Sequence, residues 1–134
     1  MSFDWKDYLT LAKTLAGSTD DASLRTAISR AYYCVFNLSL YRAKLNEFRT
    51  KDDASSHDQL WGLYGRNKIS RACGQVSVIG GRMKRRRVMA DYRLFYDDLA
   101  EDAKDIITDA EECVALLESL AADLPKDLPR VYHR

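Results

Sequence analysis

The constraint that most limits the fold lies near the end of the chain. Leu99, Ala103, Ile106, Ala110, Cys113, Leu117, Leu120 and Leu124 recur at alternating spacings of four and three. That is a heptad seam, which only a long helix packed nearly parallel or antiparallel to its neighbours can bury. It predicts a final helix from Asp98 to Pro125. No segment shows the two-residue alternation of a strand, so the chain is expected to be all-α, an up-and-down bundle of four to five helices.

The rest of the chain fits that class. Trp5, Tyr8, Leu9, Ala12, Leu15 and Ala16 define a first helix over about Asp4 to Ala16, with Gly17 placed for a left-handed cap. Thr19, Asp20 and Asp21 are N-cap candidates for a second helix reaching about Phe48. Its apolar positions exceed one stripe, so it should be central, and Ala27 with Ala31 admits a close neighbour. Ser56 and Gln59 have the form of a capping box for a short third helix closing at Gly65. After a turn or ragged piece between Arg66 and Gly74, periodicity returns from Gln75 to Tyr92. Gly80-Gly81 marks a kink or a close contact there. Residues 1–124 read as one domain, and 125–134, with both prolines, as an extended or frayed tail.

Charge is unevenly placed. The formal net charge is +1, but Arg25 to Arg93 holds fifteen Lys and Arg against five acids, whereas Asp97 to Asp123 holds ten acids and only Lys104. The basic half peaks at Arg82-Met83-Lys84-Arg85-Arg86-Arg87. A helix spreads such a run around its circumference, so some cations must meet an anionic group. Either the acidic last helix neutralises them, or a basic face stays open to nucleic acid. Arg30, inside the apolar central helix, calls for a carboxylate from Asp91 or the last helix, or else reaches the surface. Arg87 and Asp91 are spaced for an i,i+4 pair.

Several function classes find no support. Cys34, Cys73 and Cys113 stand singly inside apolar patterns, as buried thiols in a reducing cytoplasm would. The acidic N-terminus and the lack of a long apolar run argue against a leader or a membrane span. The chain is therefore expected to be cytoplasmic, with no membrane contact. Asp98, Glu101, Asp102 and Asp105 line one side of a helix but lack the histidines of a di-metal bundle, so no metal and no cofactor is expected. His133 lies in the tail. His57 opens a helix, a position that disfavours its charged form.

Two blocks carry a family likeness: Leu24-Arg25-Thr26-Ala27-Ile28-Ser29-Arg30-Ala31-Tyr32-Tyr33-Cys34-Val35-Phe36 and Arg87-Val88-Met89-Ala90-Asp91-Tyr92. Together they resemble the HEPN family, over nearly the whole chain. The resemblance implies a helical bundle that dimerises, so that two copies of an Arg-then-His signature meet. It often implies a metal-independent endoribonuclease of toxin–antitoxin or defence systems, and in some members a catalytically silent partner. In this chain Tyr92 stands where the signature His would fall, and a phenol accepts a proton at neutral pH far less readily than an imidazole. The resemblance assigns Arg86, Arg87 and Tyr92 to the signature site, with Arg87 the favoured register. Arg82, Lys84, Arg85 and Arg30 are candidate RNA contacts, and Asp91 and Tyr33 candidate supports. The expected partners are RNA and a second copy of the chain. The alternative is a non-enzymatic helical protein that holds an acidic cognate antitoxin or regulator.

Overall fold

The computed structural model describes residues 3–45, 48–49, 53, 55–66 and 70–120. They form an all-α bundle of five helices: α1 (Lys6–Ala16), α2 (Asp21–Leu45), α3 (Ser56–Arg66), α4 (Arg71–Tyr92) and α5 (Leu99–Ser119). No strand occurs among the described residues.

Helix α2 is the axis of the bundle. It packs against α1, α4 and α5 and touches α3, while α3 leans mainly on α4. That is why its apolar residues exceed one stripe: Ala27, Ile28, Ala31, Tyr32, Cys34 and Val35 are fully buried in several directions. The α5 seam closes the other side, with Leu99, Ala103, Ile106, Ala110, Cys113 and Leu117 all buried. Leu124 and the tail lie outside the described residues. All three cysteines are buried. Burial pushes the Cys34 thiol up to about 11 and that of Cys113 to about 12, so both stay protonated and unreactive at neutral pH.

Local chemistry sets the boundaries, and several differ from the sequence-based expectation. Asp20 is the cap of α2: its carboxylate accepts the Ser23 N–H at 3.0 Å, and that bond holds its pKa below the usual carboxylate range. Gly17 ends α1 at φ −81°, ψ −6°, without the left-handed turn anticipated for it. The cap of α3 sits one residue earlier than the Ser56 box: Gln59 Nε2 donates to Ser55 Oγ at 2.9 Å, and Asp53 accepts the Ser55 N–H. Helix α4 starts at Arg71 rather than Gln75, because Cys73, one turn before Val76, extends its buried face towards the N-terminus. Helix α2 is described only to Leu45, and Phe48 is buried outside it, its N–H on Ala43 O.

Gly80 explains the glycine pair. A Cβ built there would lie 2.5 Å from Cε3 and Cζ3 of Trp61, so the missing side chain is what lets α3 lie against α4. The contact seats Trp61, and Trp61 in turn holds the tyrosine beside the candidate site. At the far end of α4, Arg25 reaches over from α2. Its Nη1 donates to Ala90 O at 3.0 Å and Arg93 O at 2.5 Å, and its Nη2 to Leu94 O at 3.1 Å. Three carbonyls at and beyond the end of α4 are thereby satisfied by one guanidinium.

Candidate anion-binding site on α4

The basic run is sorted by helix geometry, since successive residues point about 100° apart. Arg82 and Arg86 face α5. Asp109, 8% exposed, accepts Arg82 Nη2 at 2.8 Å and Nε at 3.1 Å, and Arg86 Nη1 at 3.2 Å. Arg86 Nε also lies 3.8 Å from Asp102, which accepts the Tyr96 hydroxyl at 2.6 Å. Burial and that carboxylate push the Tyr96 phenol well above its usual range. The acidic helix thus neutralises two of the five cations, and both hold α4 to α5. Lys84 turns towards α3 and meets Asp58 at 2.7 Å. Arg85 is exposed.

Arg87 faces α2 and differs from the others. It is 8% exposed, and its Nε is buried with no hydrogen-bond partner. Its guanidinium carbon lies 5.6 Å from the Tyr32 ring centre and 5.5 Å from that of Tyr33. The carboxylate it reaches is Asp91, one turn on, at 3.5 Å. Among the described residues this buried guanidinium is held by two ring faces and one long ion pair, which leaves its Nε unsatisfied for an interior cation.

His57 comes to the same tyrosines from α3. Its Nδ1 is 2.6 Å from Tyr32 Oη, and its ring stacks on Phe36 with centroids 4.1 Å apart. Its centroid lies 6.0 Å from that of Tyr33. Trp61 Nε1 donates to Tyr32 Oη at 3.2 Å. Burial pushes the Tyr32 phenol far up, so its oxygen keeps its proton. For His57, burial first, then Arg87 and Lys84, hold the imidazole below its usual 6.5, against a small opposing pull from Asp58.

The geometry brings together Arg87, His57, Tyr32, Tyr33 and Asp91. Tyr92 stays apart: it is 76% exposed at the end of α4, and the rings over Arg87 are those of Tyr32 and Tyr33 on α2. Arg30, expected either to meet a carboxylate or to reach the surface, is half-buried. Its guanidinium lies over Tyr8 at 4.7 Å and Tyr33 at 5.3 Å, with Ser29 Oγ at 3.3 Å from Nη2, so ring faces stand where a carboxylate was anticipated. Two clefts lie along α4. One of about 460 Å³ includes Thr26, Arg30, Ala90 and Asp91 in its lining. The other, about 420 Å³, is lined by Trp61, Lys84, Arg85, Val88 and Arg93 among others.

No known protein family, curated protein or solved structure matches this chain. The assignment of a site therefore rests on its own geometry. Sequence reasoning placed His57 at the opening of a helix and behind Tyr92 as a candidate, and nothing near it in the chain marks Tyr32, twenty-five positions earlier, as its partner. It also missed Arg93, since a single exposed arginine after a helix carries no periodic signal. Among the described residues, no helix is long and apolar enough to cross a membrane.

The lowered His57 pKa has a measurable consequence. Above 6.5 the ring is neutral folded or unfolded, and its contribution to stability is fully present. As pH falls below 6.5 the unfolded chain takes up the proton first, and stability is lost until the folded ring's own lower pKa is passed. Urea midpoints measured across this range should fall more steeply for the wild type than for His57→Gln. Parallel curves would contradict the placement of the ring.

Proposed function

We propose that this chain is an RNA-binding protein of HEPN type that works as a homodimer and holds the RNA backbone at Arg87. The observation that carries the reading is the buried, unpartnered Nε of Arg87, since a phosphodiester is the kind of ligand whose oxygens suit a guanidinium fork. Lys84, Arg85 and Arg93 line the neighbouring cleft and supply the surrounding positive field. Tyr33, partly exposed beside Arg87, offers a ring face to a base. Arg82 and Arg86 hold the fold and leave ligand binding to the others.

Binding is favoured over cleavage. Metal-free cleavage needs a group that takes the 2′-hydroxyl proton, and Tyr92 stands apart from Arg87. The homodimer is supported by the exposed Val88, Tyr92, Leu94 and Phe95, an apolar run at the end of the same helix. An acidic cognate protein is the competing occupant of the basic face.

Ultraviolet crosslinking of the purified chain to single-stranded RNA, read by mass spectrometry, tests the proposal. Adducts are expected at Tyr33 and His57, and sedimentation should show a dimer that Phe95→Asp converts to monomer. Adducts confined to α1 or the outer face of α5, or no adduct at low salt, would refute it. Failure with RNA, together with salt-sensitive capture of an acidic protein, would give the surface to that partner instead.

A further inference from the structure

Helices α2 and α3 are joined by a hydrogen-bonded chain that ends at His57. Trp61 Nε1–H donates to Tyr32 Oη. The phenol is fully buried and protonated, so its single proton needs an acceptor, and His57 Nδ1 lies 2.6 Å away. If Nδ1 carried the imidazole proton, Tyr32 Oη would face two donors and its own hydrogen would be left without that acceptor in a dry interior. The chain therefore runs from Trp61 to Tyr32 to His57, and the neutral imidazole carries its proton on Nε2. Charges around the ring reinforce neutrality: Arg87 and Lys84 from α4 oppose protonation, Asp58 from α3 favours it weakly, and the α2 groups facing it are the phenols of Tyr32 and Tyr33.

We infer that His57 is a second ligand-binding residue of the Arg87 site, donating Nε2–H to a phosphodiester oxygen of the RNA whose backbone Arg87 holds. The inference rests on the RNA-binding reading above and adds a residue, a tautomer and a role to it. Two features of the site support it. Arg87 and His57 approach the same pair of tyrosine rings from different helices, and the guanidinium has an unpartnered buried nitrogen. A fixed neutral donor beside a guanidinium supplies a hydrogen bond to an anion without placing a second positive charge next to Arg87. The same tautomer has no lone pair free on Nε2, so His57 here binds and does not act as a base.

The test uses the full-length chain. Long-range nitrogen–proton correlation spectra of the imidazoles, with His57→Gln identifying the resonances of the two histidines, should show His57 as the Nε2–H tautomer in the free protein. Adding a mixed-sequence single-stranded RNA should shift that Nε2–H resonance. In fluorescence anisotropy with the same RNA, His57→Asn, whose amide replaces Nδ1 and leaves nothing at Nε2, should bind about tenfold more weakly. His57→Gln, whose amide nitrogen reaches the Nε2 position, should recover most of that loss, and thermal unfolding of both variants establishes that they fold. An Nδ1–H tautomer, or an unmoved resonance and equal affinities while RNA binds, overturns the role of His57 and leaves RNA binding standing. Absence of RNA binding by the wild type at low salt overturns the RNA reading and this inference with it.

Discussion

Gly80→Ala is expected to lower stability by roughly 3 kcal/mol, the upper part of the usual range for overpacking a filled site. The added methyl would lie 2.5 Å from the six-membered ring of Trp61, and a rigid indole cannot fold away as a lysine tip could. Trp61 is 5% exposed, so relief requires α3 to move off α4. That movement would pull Trp61 Nε1 from Tyr32 and disturb the chain to His57, so RNA affinity should fall together with the urea midpoint. A variant within about 0.5 kcal/mol of wild type, the scatter of harmless surface changes, would contradict the packing described.

Asp109→Ala carries the other large effect, about 2 kcal/mol of lost stability. Removing one member of a fully buried ion pair costs roughly 3–5 kcal/mol. The figure is reduced here because the side chains of Arg82 and Arg86 are 39% and 23% exposed and water recovers part of their charge. The loss should be partly relieved when Arg82 and Arg86 are also changed to Met, since no cation then remains without its acid. A double-mutant cycle on urea midpoints gives the coupling. Additive effects would mean that α4 and α5 are held by their apolar seam alone.

How much of this was visible in the sequence follows from the range over which each feature acts. The α5 seam as far as Leu117, the crowded face of α2 and the Arg87–Asp91 spacing are periodic or local, and they lie where periodicity puts them, although α5 ends at Ser119, with Leu120 its half-buried cap, short of the expected Pro125. Helix ends were less legible, because Asp20, Ser55 and Gly17 are neighbours of equally plausible caps and tertiary contacts choose among them. The division of the basic run was hidden for a different reason. Its sequence is nearly uniform, and only the position of α5 on one side and α2 on the other makes Arg86 an ion-pair residue and Arg87 a buried, under-satisfied cation. Tyr92 was drawn to the site by the family resemblance, whereas Tyr32, Tyr33 and His57 reach it from other helices.

The central claim is that Arg87 is kept for a ligand and not for the fold. Replacement by Met, similar in length and uncharged, separates the two most directly. With an unpartnered nitrogen removed from the interior, Arg87→Met is expected to unfold at the same or a higher urea concentration than wild type. Its RNA affinity at low salt should fall at least tenfold, and the slope of log affinity against log salt should shrink by about 0.7, the share of one phosphate contact on a single strand. A variant that is clearly less stable yet binds RNA with unchanged affinity and slope would make Arg87 a structural residue and contradict the account.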